Sequence, residues 1–322
     1  MKIFLTYDYE LFFGEQSGTV RKCMLEPTED LFSIAKGKDV FLTFFVDVGY
    51  LISAEKYPML ADELKLVKNQ IQRMVTLGHE VQLHIHPHWE NAVYENGKWQ
   101  MNADNGYKLV DFNSEIRSSI IKKYKTYLDT IIGKKTRAFR AGGWCIQPFN
   151  ELKTDFKANG IQIDSSVIPG DFMQTDNYAI DFRNAPLKSK YHVCVEDENG
   201  SFTEYPISSL RYSPLFFWKL YVLGRLIPRQ HKMIGDGEFV SQGGRKKRVL
   251  TTYTHNHVSS DGYFAQKLDA GLKKAMNLGH KEMVVIGHPK GNTSYSLKKL
   301  KNFVDQNHKK HLFTTFDREL CK

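Results

Sequence analysis

The chain has 322 residues, of which 41% are hydrophobic and 25% charged, so it can bury a large core and has the composition of an ordinary globular protein. Its formal charge of +9 favours anionic partners, but no repeat, zinc-finger spacing or RNA-binding signature accompanies the basic residues, which argues against nucleic acid. Four cysteines, Cys23, Cys145, Cys194 and Cys321, stand far apart and form no CxxC, which argues against a disulfide framework and a cysteine zinc site.

The amino terminus, MKIFLTYDYELFF, runs directly into a predicted strand with acids inside it. It lacks the apolar run and small-residue cleavage site of a signal peptide, and no window of 18 apolar residues occurs, so the expected compartment is the cytoplasm. Residues 2–7 read as a strand, and 40–46 (VFLTFFV) as a strand covered on both faces. Residues 57–76 carry Leu60, Leu64, Val67, Ile71 and Met74 at helical spacing, ended by Gly78. A strand over 80–86 follows, then an amphipathic helix over 114–132, begun by Asn113 or Ser114 and stopped by Gly133. A short strand ends at Arg140, a helix is predicted over 146–159 and a strand over 161–167. Later elements are a strand at 249–255, a helix at 263–277, a strand at 283–287, a helix at 295–306 and a strand at 312–316.

This alternation implies a mostly parallel sheet or an α/β barrel, in which chemistry sits at the carboxyl ends of the strands. It fails between about Lys188 and Arg248, a stretch read as an insertion. There SPLFFWKLYVLGRLIPRQHK (213–232) precedes a glycine-rich basic loop, GDGEFVSQGGRKKR. The apolar, aromatic and basic character of 213–232 is that of a helix able to lie in a membrane interface, or of a lid over the core.

Three of the chain's 12 histidines, His84, His86 and His88, fall within GHEVQLHIHPHW at the end of a predicted strand. If the chain stays extended through Pro87 they share one face, and neutral imidazoles at this spacing can converge on one metal ion. In TYDYE, Asp8 and Glu10 also share a face, and two carboxylates side by side call for a shared cation or proton. One carboxylate with two histidines leaves an open position for water on the metal, and the other carboxylate can take that water's proton. In FRAGGW, Arg140 follows a strand and needs a carboxylate partner, for which Asp8 is the natural candidate. The two glycines after it allow close approach of backbone to a ligand. VVIGHPKG presents His288 at the same rim. TYTHNH places Tyr253, His255 and His257 on one strand face.

These stretches, in this order, resemble the polysaccharide deacetylases of carbohydrate esterase family 4. The resemblance implies a deformed (β/α) barrel of about seven strands, here with an insertion near 188–248, forming a single catalytic domain over 1–322. It implies a divalent cofactor, zinc by the family's habit, held by Glu10, His84 and His88, with His86 as the intervening residue. Asp8 would be the base, Arg140 would orient it, the Gly143 amide would serve the oxyanion and His288 would be the general acid. Tyr9, Trp89 and Trp144, beside these motifs, become candidate substrate contacts. The implied reaction is removal of the N-acetyl group from an amino sugar, an intermediate of surface polysaccharide synthesis carried on a nucleotide or a lipid. A deformylase on a lipid-linked sugar and a non-enzymatic glycan- or lipid-binding protein are the alternatives. Tyr9 stands where the family has an acid, and Gly143 where it has a tyrosine.

Overall fold

Apolar strands buried on both faces set the architecture. The computed structural model describes residues 1–101, 106–174, 178–194, 202–240 and 245–320. One sheet of nine strands runs through it: β1 (Lys2–Tyr9), β2 (Leu42–Asp47), β3 (Glu80–Ile85), β4 (Ala138–Ala141), β5 (Ile163–Asp164), β6 (Tyr191–Val193), β7 (Phe202–Glu204), β8 (Glu282–Gly287) and β9 (Leu312–Phe313). The spatial order is β6-β7-β5-β4-β3-β2-β1-β8, with β9 pairing with the start of β1. All neighbours are parallel except β6 and β7. Every residue of β2, β3 and β4 is buried, as expected of parallel strands packed between helices.

The sheet curls into a half-barrel, and its two ends are stitched together by irregular segments. Ser208 N–H donates to the Val284 carbonyl (2.9 Å), Val258 N–H to Ser208 (2.6 Å) and Ile207 N–H to Val167 (2.8 Å). These bonds span the gap between β8 and the end of β5, which gives the deformed (β/α) barrel that the strand–helix alternation and the motif resemblance imply.

The helices form where the spacing predicts. Ala61–Thr76 buries Leu64, Val67, Ile71 and Met74. Ser114–Ile132 is capped by Asn113, whose side chain accepts from Ile116 N–H at 2.9 Å, and is closed by Gly133 at φ 68°.

Four expectations change. Strands β6 and β7 lie inside the stretch read as an insertion yet join the main sheet, so the part outside it starts near Tyr205. The strand predicted over 249–255 is a helix, Arg245–Thr251, followed by a strand, Thr254–His257. Val249 and Leu250 pack on the aromatic cluster of Phe216 and Phe217, a contact a helix can make. The helix predicted over 146–159 starts only at Phe149, because the residue before Pro148 is driven out of helical backbone, and it consists of a 3-10 turn, Phe149–Glu151, followed by Lys153–Ala158. The strand predicted over 312–316 stops at Phe313, and Phe316–Leu320 turns helical with the N–H groups of Phe316 and Asp317 held by buried Glu80 at 2.9 and 2.7 Å.

Residues 213–232 form a helix, Pro214–Leu226, and a short turn of helix, Pro228–His231. This insertion leaves and re-enters the barrel through an antiparallel pair, Ser209–Tyr212 with Thr254–His257. Residues 195–201 and 241–244 of the 188–248 stretch, and Cys321, lie outside the described residues. Among the described residues no helix is long and apolar enough to cross a membrane.

Candidate active site

The carboxyl ends of β1, β3, β4 and β8 meet at one rim. Alternation along β1 turns Asp8 and Glu10 towards the rim and Tyr9 away from it. Tyr9 is fully buried against Phe44, and its hydroxyl donates to Gln70 Oε1 at 2.8 Å, so it is a core residue and not the substrate contact expected of it.

Glu10 is the centre of the rim. Its Oε2 lies 2.8 Å from His86 Nε2 and 3.1 Å from His84 Nε2, and its Oε1 lies 2.9 Å from Lys290 Nζ. The imidazoles that meet on Glu10 are thus those of His84 and His86, where the resemblance placed His84 and His88. Extended backbone ends at His86, and Pro87 starts a 3-10 turn that carries His88 off the shared face. His88 is buried among Phe13, Trp89 and Tyr107. Trp89, another expected substrate contact, is fully buried with its indole N–H donating to Asp47 Oδ2 at 2.6 Å, so it belongs to the supporting core. Burial pushes the Asp47 carboxyl up to about 7.

The donor set suits a divalent cation. Glu10, His84 and His86 each offer one ligand atom, and these atoms lie within 4.8 Å of one another, all buried. His84 Nδ1 is 2.8 Å from the Arg140 carbonyl, which can only accept, so that nitrogen carries a proton. A neutral His84 then points the Nε2 lone pair at a carboxylate oxygen, an arrangement that a proton or a metal ion must relieve. Without a cation the proton does so: burial opposes the charge, but Asp8, Glu10 and Asp47 raise the His84 pKa to about 9. An imidazole whose far nitrogen is tied to a backbone carbonyl is also the usual form of a metal-ligating histidine. In His86 burial dominates and lowers the pKa to about 4, which keeps the ring neutral.

Asp8 is held from the other side. Arg140 Nη1 donates to Asp8 Oδ1 at 2.7 Å, and the rest of the guanidinium is bonded to Ser165 O (2.7 Å), Thr6 Oγ1 (2.9 Å) and Ser165 Oγ (3.1 Å). Burial alone would raise the Asp8 pKa, but Arg140, His84 and His288 outweigh it and hold the carboxyl below its ordinary value. Across the rim, His288 Nε2 lies 3.6 Å from Asp8 Oδ2. Asp261 clamps the other edge of His288, accepting from its backbone N–H and from Nδ1, both at 2.7 Å. Burial disfavours the imidazolium, yet Asp261 and then Asp8 raise the His288 pKa above its ordinary value.

The glycines of FRAGGW have particular reasons. A Cβ on Gly142 would lie 2.6 Å from His86 Nδ1, so Gly142 makes room for the imidazole itself. Gly143 sits at φ 58°, and a Cβ there would press on Tyr107 at 2.8 Å. Gly143 and Trp144 both line a cavity of about 710 Å³ whose floor is Asp8, Glu10, His84, His86 and His288. His257 also lines it, with Trp144 and Phe264 against its ring. Tyr253 and His255 do not. The strand begins only at Thr254, and Tyr253 is exposed beneath the Arg211 guanidinium.

Three residues that contact the rim groups or their supports were not singled out from the sequence. Lys290 follows His288 by two positions, in VVIGHPKG, and its Nζ is buried against Glu10. Asp261, in SSDGY, and Asp47, at the end of β2, carry no local pattern that sets them apart; they act through partners far along the chain.

The sequence matches no protein-family model and no curated protein. Solved structures do match. A probable polysaccharide deacetylase from Pseudomonas aeruginosa PAO1 shares 15% identity over 98% of this chain and 88% of its own, with a TM-score of 0.52. The PuuE allantoinase shares 12% over 98% and 88%, with a TM-score of 0.53. The 4-alpha-glucanotransferase from Thermococcus litoralis shares 14% over 100% of this chain but 40% of its own, with a TM-score of 0.54. The chain therefore has the fold of the polysaccharide deacetylases. That fold is shared with proteins of other activities, so the reaction has to be argued from the site.

Two substitutions test this geometry. Arg140→Met strands a buried Asp8 charge and is expected to lower stability by about 3–5 kcal/mol, measured by denaturant unfolding. Gly142→Ala is expected to displace the His86 ring and weaken divalent-metal binding by about 10–100-fold, measured by competition with a chromophoric chelator.

Proposed function

We propose that the protein is a divalent-metal-dependent hydrolase that removes the N-acetyl group of an amino sugar. The observation that carries the reading is the convergence of one acid and two imidazoles, Glu10, His84 and His86, beside an Arg140-bound Asp8 and an Asp261-oriented His288. Two nitrogen donors and one carboxylate form a ligand set suited to zinc, and three protein ligands leave the open position of a catalytic site. A bound divalent cation supplies Lewis acidity to water and to the acyl carbonyl at this rim.

The chain's own residues do the rest. Asp8, kept ionised by Arg140, accepts the proton of the attacking water. Arg140 also fixes which oxygen of Asp8 faces the rim, since Oδ1 is engaged at 2.7 Å. His288, held as imidazolium by Asp261, gives its proton to the departing sugar nitrogen. The Gly143 amide is the backbone donor assigned to the carbonyl oxygen as charge develops there. Lys290 balances the second oxygen of Glu10. The sugar occupies the cavity between Trp144 and Tyr263, and the motif resemblance supports an N-acetylated substrate of surface polysaccharide synthesis on a nucleotide or lipid carrier.

Purified protein given N-acetyl amino sugars is expected to release acetate, to stop on chelation and to resume with zinc. Asp8→Asn is expected to lower the rate by about 10²–10⁴-fold. Full activity in Asp8→Asn, formate in place of acetate, or unchanged metal content in His84→Ala would each refute part of this assignment. Asp261→Asn removes the charge that raises the His288 pKa. The alkaline limb of kcat/KM is therefore expected to move to lower pH, because His288 loses its proton earlier.

A further inference from the structure

The insertion helix Pro214–Leu226 has two apolar faces. One closes over the barrel: Phe216 and Phe217 are buried with Tyr212 and Tyr263, and Phe217 and Leu220 line the cavity above the rim. The other faces solvent. Leu215 is 62% exposed, Trp218 48%, Val222 43% and Leu226 73%. At 100° per residue these four side chains fall within an arc of about 80°, so they form one stripe along the helix. Single exposed apolar residues need no explanation, but an aligned stripe with a tryptophan in it does.

The charge around the stripe is of one sign. Residues 205–235 contain Arg211, Lys219, Arg225, Arg229 and Lys232 and no Asp or Glu. Lys219 and Arg225 flank the stripe on the helix itself. Lys246 adds to this edge from the neighbouring helix, with its ammonium 4.8 Å from the Tyr221 ring. The three exposed residues that line the cavity, Gly224, Phe239 and Lys246, all belong to the insertion, so the cavity reaches solvent along the insertion that carries this helix.

We propose that the exposed face of Pro214–Leu226 seats on an anionic lipid bilayer and that the cavity takes its acylated sugar from a lipid-anchored substrate presented there. The substrate class rests on the hydrolase reading above; the docking surface does not. An apolar stripe with flanking cations and an interfacial tryptophan is the signature of a helix lying in the plane of a membrane surface. Juxtaposed basic residues add attraction to anionic headgroups. The helix then has the membrane on one face and the sugar-binding cavity on the other, and the aromatic and aliphatic wall formed by Phe217, Leu220, Phe239 and Val249 accommodates the first apolar segment of a carrier chain.

The test uses the zinc-loaded 322-residue chain and co-sedimentation with vesicles of phosphatidylcholine, with and without phosphatidylglycerol. Binding is expected to the mixed vesicles, to weaken with salt, and to fall by at least about tenfold in the double variant Leu215→Glu, Val222→Glu. Neither residue lines the cavity, so acetate release from a water-soluble N-acetyl amino sugar is expected to be unchanged, which also shows that the variant is folded. Release from an N-acetyl sugar joined through phosphate to a polyprenyl chain in those vesicles is expected to fall with binding. A second variant, Lys219→Ala with Arg229→Ala, is expected to lose the preference for the anionic vesicles. Equal sedimentation of wild type and the double variant overturns the proposal. So does a dimer in solution that the double variant dissociates without any vesicle binding, because a second copy would then cover the stripe. Protein that binds mixed vesicles through this face but releases no acyl group from any sugar supports the docking surface and refutes the hydrolase reading.

Discussion

The Asp8–Arg140 ion pair is the contact on which the rest of the rim depends. Arg140 has no exposed surface, and its donors reach Asp8, Thr6 and Ser165, so one guanidinium joins β1, β4 and the end of β5. A charge so deeply buried is tolerated only because each group around it is complementary. The consequence is geometric as well as electrostatic. Arg140 also supplies the carbonyl that fixes the His84 ring, so Asp8 and the first imidazole are positioned by the two ends of one residue. Around that core the charges form an alternating set, Arg140 with Asp8, His84 and Lys290 with Glu10, Asp261 with His288. Each acid or imidazole in the rim is held by a partner from a different segment of the chain.

Much of this was legible before any coordinates. The alternation of strands and helices, the capped helix over 114–132 and the placing of Asp8, Glu10, His84, Arg140 and His288 at strand ends all follow from local patterns. Those patterns report local constraints: the period of a helix, the two-residue repeat of a strand, a proline that cannot continue either. They lose force where a tertiary contact decides. Whether His86 or His88 faces Glu10 depends on the bend at Pro87, and the spacing in HIHPH allows either. Tyr9 and Trp89 sit beside active groups in sequence but point into the core, because neighbours along a strand face opposite ways and a 3-10 turn redirects the next side chain.

Lys290 and Asp261 show the opposite limit. Neither belongs to a periodic pattern, and each acquires its role from a residue that is remote in the chain, Glu10 in one case and His288 in the other. Short apolar stretches were equally ambiguous. The strands Tyr191–Val193 and Phe202–Glu204 are only three residues each and carry no alternation strong enough to separate them from an irregular loop. The stretch 249–255, VLTTYTH, has a β-like composition, but its first residues continue the helix Arg245–Thr251, in which Val249 and Leu250 pack on the aromatic cluster of the insertion.

The antiparallel pair that bounds the insertion bears on how such a protein can change. Tyr212 and Thr254 stand directly opposite each other across that ladder, so the segment between them leaves and re-enters the barrel side by side, and midway it is braced on the rim loops, where Gly235 N–H donates to the Lys290 carbonyl (3.1 Å) and Glu238 N–H to the Gln16 carbonyl (2.8 Å). The groups at the rim come from β1, β3, β4, β8 and the loops that follow them, with Asp261 just beyond the second strand of the pair; none comes from the segment itself. The roof is therefore divided in its freedom to vary. The helix Pro214–Leu226 can be lengthened, shortened or exchanged between its junctions, whereas residues 234–238 brace the loop that carries Lys290 and have to keep their register with the floor.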